Sequence, residues 1–173
     1  MTLAVAGLLL TGCDSGGGAK AESSTATAPA TTQTTAAAEP APSGGPECTL
    51  ATPALVGEQL GFTLTAPNVD RGPTATVCTY DSPSDRSQTA TIQVQTRATA
   101  ESFARGREGF ATHGEPVTAV AGLGDEAYTA SLTVARSTNT TLVARKGNIE
   151  VLITTTAPAD RVQRLMTALL PLV

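Results

Sequence analysis

Few side chains in this sequence could act as a nucleophile or a general base. The 173 residues include a single histidine, His113, and three cysteines, Cys13, Cys48 and Cys78. Serine-type hydrolysis needs a nucleophile, a base and an orienting acid, and only His113 could be the base. It follows an expected helix end, and no Gly-x-Ser-x-Gly nucleophile elbow is present. We expect a solvated loop histidine and a protein that is not an enzyme. A hydrolase with His113 as its base is the minor alternative.

The acidic residues do not form a catalytic pair or a metal-binding loop. Asp125 and Glu126 are adjacent, and neighbouring residues of a strand face opposite sides, which would separate a paired acid and base. Together with Asp70, Asp81 and Asp85 they could supply calcium ligands, but no loop has the alternating spacing of calcium-binding loops. Two separated cysteines and one histidine are too few ligands for structural zinc. We therefore expect no metal ion and no cofactor.

The stretch Gly122-Leu123-Gly124-Asp125 has the composition of a phosphate-binding loop or of a tight turn. A phosphate loop needs a helix N-terminus after it, whereas the residues that follow, up to Tyr128, have a strand-like pattern. We therefore predict a turn of unknown functional role. In that turn Gly122 and Gly124 supply positive φ angles and the Asp125 carboxylate bonds its own backbone.

The charge balance argues against binding to nucleic acid. The formal net charge is −4 at pH 7, whereas a nucleic-acid-binding surface needs a basic patch. Arg105, Arg107 and the pair Arg145-Lys146 are the only local groupings of positive charge, and we interpret them as solvated. The formal glycosylation sequence Asn139-Thr140-Thr141 is interpreted as a turn.

The start of the chain has the pattern of an export signal. The apolar run Leu3–Leu10 has the length of a signal-peptide h-region and is far shorter than the about 20 residues of a membrane span. Residues Leu10-Thr11-Gly12-Cys13 resemble the bacterial lipobox. The resemblance implies cleavage before Cys13 and acylation of its thiol, which anchors the protein on the extracytoplasmic face of the cell membrane. The alternative is an ordinary thiol in a disordered leader. Because no Lys or Arg precedes the run, we expect the natural start to lie further upstream.

Residues 13–46 are predicted to be a lipidated cysteine followed by a disordered linker. After Cys13 the segment contains Gly, Ala, Ser, Thr and Pro with scattered charge and no large apolar side chain. Such a segment buries too little surface to offset the entropy of ordering. As a flexible coil it would span about 30 Å, so we interpret it as a spacer. Its composition is also that of O-glycosylated stalks.

The two remaining cysteines, Cys48 and Cys78, form an even pair once Cys13 is lipidated. Disulfides persist in exported proteins, so we predict a Cys48–Cys78 bond. It would close a loop of about 30 residues and stabilise the fold by roughly 3.5–4 kcal/mol in the chain-entropy account.

Residues 47–173 have the length and patterning of one α+β domain. Strict alternation over 89–96 predicts a strand, and capping residues around 53–60 predict a short helix. The economical arrangement is one antiparallel sheet with helices packed on one face, stapled by the disulfide and preceded by the disordered linker. The predicted helices cover 53–60, 100–112 and the region from 158 to 170, and the predicted strands cover 77–80, 89–96, 117–120, 126–136, 141–145 and 149–155.

Three motifs in this domain resemble a family of actinobacterial cell-envelope lipoproteins that carry an uncharacterised secreted domain. They are CTLATPALVGEQLG from Cys48, VCTYDS around Cys78, and VAGLGDEAYTA from Val120. The similarity covers most of residues 47–173. It implies a lipoprotein with a disulfide and no agreed biochemical activity.

These observations predict a membrane-anchored, non-catalytic binding or accessory module of the cell envelope. Its partner would be another envelope protein or a small envelope molecule. The alternative is a carrier or sensor-like domain with an apolar cavity between sheet and helices. The small strand residues Ala90, Ala127, Ala130 and Ala135 would leave room for that cavity.

Overall fold

A computed structural model describes residues 48–173 of the chain. The predictions for residues 1–47, including the signal peptide at 1–12, the acylation of Cys13 and the linker at 13–46, lie outside the described residues. Within the described range, no helix is both long and apolar enough to cross a membrane.

The domain is one seven-stranded antiparallel sheet with three helices, which confirms the predicted α+β class. Two meanders, β1 to β3 and β4 to β7, are joined through α2, and pairing of β3 with β7 unites them in the order β1-β2-β3-β7-β6-β5-β4. The elements are α1 (Pro53–Leu60), β1 (Asn68–Arg71), β2 (Ala75–Asp81), β3 (Thr89–Thr96), α2 (Ala100–Thr112), β4 (Val117–Ala119), β5 (Glu126–Val134), β6 (Ser137–Lys146), β7 (Ile149–Thr155) and α3 (Ala159–Leu169).

Local capping explains where the first two helices begin. The Thr52 hydroxyl accepts from the Leu55 amide at 3.2 Å, and Gly61 ends α1 in the left-handed conformation, as expected from the sequence. At α2 the side chains of Thr99 and Ser102 cap each other's backbone amides. These contacts satisfy amides that have no partner inside the helix.

The first face of the sheet carries the main core. Leu142, Ile153 and Ile92 lie side by side on adjacent strands and are fully buried. Helices α1 and α3 cover them with an apolar stripe each. Those stripes consist of Val56 and Leu60 on α1 and of Val162, Leu165, Met166 and Leu169 on α3.

Helix α2 lies on the second face, which differs from the predicted arrangement with the helices on one face. Phe103 and Phe110 of α2 pack edge-on against Tyr128, with ring centroids 5.1 and 5.9 Å apart. Tyr128 is one residue out of phase with Ala127, which belongs to the main core, so its ring points to the opposite side. The two faces of the sheet thus carry separate apolar clusters.

The predicted disulfide between Cys48 and Cys78 is present, with Cα atoms 5.9 Å apart. It ties the segment before α1 to β2. Next to it, the buried Tyr80 hydroxyl donates to the carbonyl oxygen of Ala51. This hydrogen bond and the disulfide together fix α1 on the first face.

Several strands differ from their predicted extents. Strand β1 is an element that the sequence pattern did not predict, since it is four residues long and mostly exposed. Strands β5 and β6 form a long hairpin around Ala135-Arg136, so Asn139, expected in a turn, lies in a strand opposite Leu132. In contrast, β3, β7 and the two-residue turn Gly147-Asn148 confirm the prediction.

Candidate functional site

The Gly122–Asp125 segment is a turn between β4 and β5, as predicted. Gly122 has φ 80° and Gly124 has φ 61°, angles that glycine adopts without steric cost. At Gly124 a Cβ atom would also lie 2.3 Å from the Arg145 carbonyl oxygen, whereas at Gly122 it would meet nothing. The close approach of β6 therefore makes Gly124 the more constrained position.

The Asp125 carboxylate does not bond its own turn, which corrects the expectation from the sequence. Its Oδ2 accepts from the backbone amide of Gly147 at 2.8 Å. The Asp125 amide in turn donates to the Arg145 carbonyl at 2.7 Å. Asp125 thus joins the β4–β5 turn to the β6–β7 turn.

Arg145 is the centre of an ion-pair cluster rather than part of a solvated face. Its side chain is 15 % exposed, and its Nη2 lies 2.8 Å from Glu126 Oε1 while its Nη1 lies 3.4 Å from Asp125 Oδ2. The same guanidinium donates to the Gly147 carbonyl at 2.6 Å. Asp125 and Glu126, expected to face opposite sides, therefore meet at one cation, because Asp125 precedes the strand and is free of its alternation. We call Asp125, Glu126, Arg145 and Gly147 the Arg145 cluster.

The neighbours of this cluster are half-buried on the second face. Glu150 lies opposite Arg145 in the β6–β7 register, and burial raises the pKa of its carboxyl, an effect that Arg145 partly offsets. Burial also raises the pKa of Tyr128 to about 12, with the charge of Glu150 acting in the same direction. The cluster contains carboxylates already paired with a cation, so it can lock two turns together but offers no free acid–base pair.

His113 and Asp85, which were also considered for chemistry, serve local structure in the described part of the chain. His113 ends α2 with its Nδ1 2.6 Å from the Gly109 carbonyl, and no described hydroxyl is bonded to its ring. The Asp85 carboxylate accepts from the amide and hydroxyl of Ser87, which lowers the pKa of Asp85. No group of three or more His, Cys, Asp or Glu side chains suited to a metal ion occurs among residues 48–173.

The interior between the sheet and its two covering helices is nearly filled. A cavity beside the disulfide, lined by Cys48, Ile92 and Leu169 among others, has a volume of about 10 Å³. That is room for about one water molecule. The four alanines expected to leave a ligand cavity do not face one interior. Ala90 and Ala127 belong to the main core, Ala130 pairs with Val117 on the second face, and Ala135 is in the exposed hairpin turn.

The second face remains open on the side away from α2. Its outward side chains on β2 and β3 include Thr79, Thr91 and Gln93, all half-exposed. Thr79, Thr91, Thr154 and Thr141 lie side by side on four adjacent strands, and the last two share a 3.0 Å hydroxyl contact. This open face presents mainly hydroxyl and amide groups, with the apolar side chains of Ala75, Val77 and Leu152 interspersed.

Two open grooves flank the sheet. The hairpin groove, about 570 Å³, lies beside the β5–β6 hairpin and is lined by Phe62, Asp85, Val134, Arg136 and Pro158 among others. The β4 groove, about 520 Å³, lies between α2 and β4 and is lined by Ala104, Arg107, Glu108, Ala111, Val117 and Ala119. Both of these larger concave spaces are on the surface of the described domain.

The sequence gives a partial signal for these features. The order Glu126, Arg145, Glu150 places alternating charges on three strands that turn out to be neighbours, but the pairing register is needed to bring them together. The position of α2 on the second face, which forms the β4 groove, was missed for the same reason.

Comparisons with protein-family models, curated proteins and solved structures found no match to this chain.

Proposed function

We propose that this protein is a lipid-anchored lipoprotein of the cell envelope whose domain is a non-catalytic binding or accessory module. The anchor rests on the lipobox-like residues Leu10–Cys13 and on the motifs from Cys48 onward that resemble envelope lipoproteins. Residues 13–46 would serve as the spacer between membrane and domain. The partner would be another protein of the envelope.

The observation that carries this proposal is the contrast between a filled interior and an open surface. The main core contains a cavity of about 10 Å³, whereas the two surface grooves measure about 570 and 520 Å³. This contrast supports binding through the surface of the domain. An apolar carrier instead needs an internal pocket of several hundred Å³, so nothing observed in the described residues favours the carrier alternative.

The test is site-specific photo-cross-linking of the full-length protein in its own host. A photoreactive residue replaces Gln93 on the open face, Thr118 on β4, or Gln163 on α3, and cross-linked proteins are identified by mass spectrometry. The control keeps residues 1–46 and carries an unrelated folded domain. Because both proteins share anchor and spacer, enrichment over this control reports the domain alone.

We expect one or two envelope proteins to be captured from Gln93 or Thr118 and not from Gln163. If every protein captured from Gln93 or Thr118 were captured equally by the unrelated domain, the binding module would be refuted. A parallel Cys13→Ala variant should lose palmitate labelling, and continued labelling would refute the lipid anchor.

A further inference from the structure

Strand β4 leaves backbone hydrogen-bonding groups unpaired at one edge of the sheet. In an antiparallel pair, opposite residues alternate between exchanging hydrogen bonds and pointing their amides away from each other. The Val120 amide donates to the Ala127 carbonyl at 2.9 Å, which makes Val120 and, two residues back, Thr118 the bonded positions. The amides and carbonyls of Val117 and Ala119 therefore point outward, and no other described residue bonds to them.

The β4 groove runs along this same edge. Val117 and Ala119 form one wall with their side chains, and Ala104 and Ala111 of α2 contribute to the other. Four of the six lining residues are Ala or Val, and the other two, Arg107 and Glu108, are charged. A chain lying along β4 would find backbone partners at the edge and shallow space for every second side chain. An edge strand beside a helix is the geometry used for strand addition by extended peptides.

The groove also carries a cation with no ion-pair partner among the described residues. Arg107 lines the groove and forms no salt bridge within residues 48–173, whereas Arg105, two residues earlier, pairs with Glu101 at 3.5 Å. Glu108 lies on the same groove. An acidic side chain opposite Arg107 and away from Glu108 would complement this charge and set the register of the added chain.

The opposite edge of the sheet is protected against such pairing. Strand β1 lies between Pro67 and Pro73 and carries the exposed charges of Asp70 and Arg71. Prolines and charges are the devices by which proteins discourage edge-to-edge pairing. Strand β4, with the sequence Val-Thr-Ala, has one flanking proline, Pro116, and no charged residue within the strand.

We propose that an extended segment of a partner protein adds to β4 as an eighth strand, with small side chains directed into the β4 groove and one acidic side chain facing Arg107. This inference rests on the proposed function and names the surface and the partner chemistry for it.

The test uses the full-length protein in detergent and a defined set of peptides. The probes are fluorescent eight-residue peptides of alternating threonine and valine with one aspartate placed at each position in turn. We expect at least one register to bind by fluorescence anisotropy and to slow hydrogen–deuterium exchange over residues 116–120. A peptide of the same sequence with alternate backbone nitrogens methylated loses the donors on one edge and should not bind.

Two matched pairs of variants separate the edge from the rest of the surface. Ala119→Pro removes an outward amide at β4, and Arg107→Glu reverses the charge in the groove; each should weaken binding about tenfold, or about 1.4 kcal/mol. Arg71→Pro places a proline at the opposite edge strand, and Arg105→Glu reverses a charge outside the groove, although it also breaks the pair with Glu101. Each should alter binding less than about twofold. Thermal unfolding followed by circular dichroism establishes that each variant folds, and Arg107→Glu remains informative if Ala119→Pro does not.

The inference is overturned if no register binds, if exchange slows at β1 instead, or if the control variants lose binding equally. Its failure is distinct from that of the proposed function. Cross-links from Gln93 without peptide binding at β4 would retain the module and remove this site. Peptide binding at β4 without any partner captured in the host would retain this site and count against the binding module.

Discussion

The two faces of the sheet are made by the same strands, yet they differ in what covers them. On the first face, two helices and a disulfide enclose aliphatic side chains such as Ile153 and Leu165, both fully buried. On the second face, one helix covers the β4–β6 side with a small aromatic cluster, and hydroxyl and amide side chains fill the rest. The first face thus carries the larger apolar core and the second face leaves more polar side chains exposed, so substitutions on the two faces should have different consequences.

Removing the disulfide should have the largest effect, since it belongs to the first face. The double substitution Cys48→Ser and Cys78→Ser frees a loop of about 30 residues, and we expect a loss of roughly 3.5–4 kcal/mol in the free energy of unfolding. Urea unfolding measured by circular dichroism provides the value. A loss below about 1 kcal/mol would mean that helix packing alone holds α1 in place.

A matched pair of core and open-face substitutions tests the contrast directly. Leu165→Ala creates a cavity under α3 and should cost about 2–5 kcal/mol. Thr91→Ala on the open face removes no buried group and should change stability by no more than about 0.5 kcal/mol. Similar losses at the two positions would show that the second face contributes to the core.

The two tyrosines of the chain, one on each face, make the stability of the protein depend on pH in the alkaline range. Burial raises the pKa of Tyr80 on the first face and of Tyr128 on the second to about 12. Since an unfolded tyrosine titrates near pH 10, the folded state binds more protons between pH 10 and 12, and stability falls as pH rises through this window. Below pH 10 this contribution is fully present.

Replacement of each tyrosine by phenylalanine should flatten part of that alkaline loss. Tyr80→Phe also leaves the buried Ala51 carbonyl without its donor, so we expect a cost of about 1–2 kcal/mol at pH 7. Tyr128→Phe breaks no hydrogen bond with a described residue and should cost less at that pH. Unfolding titrations from pH 7 to 12 give both quantities, and an equal cost at pH 7 would contradict the assignment.

The smallest effect is expected at Glu150 on the second face. Its raised pKa means that ionisation is costlier in the folded state, so this residue lowers stability as pH rises above the ordinary carboxyl pKa. Glu150→Gln should therefore stabilise the protein at pH 7 by about 0.5 kcal/mol or less, since the side chain is partly solvated. At pH 3, where the unfolded carboxyl is also protonated, the difference should disappear.

Local patterns were sufficient for much of the fold. The cap at Thr52, the alternation in β3 and the two-residue turn at Gly147-Asn148 depend on neighbouring residues alone, and all three were predicted. Strand β1 was missed because four exposed residues have no hydrophobic alternation to detect. The Arg145 cluster was missed because its members are up to 22 residues apart and meet only in the β5–β6–β7 register.

Sequence by itself determined the α+β class, the helix boundaries, the positive-φ glycines at 122 and 124, and the pairing of Cys48 with Cys78. The first three follow from local residue patterns, and the disulfide was predicted on the premise that Cys13 is acylated. Tertiary structure alone decided that α2 lies on the second face, that Arg145 is enclosed by carboxylates, and that β4 is an open edge. A helix carries its apolar stripe whichever sheet face it meets, so only the positions of Tyr128 and its neighbouring strands select the side on which it packs.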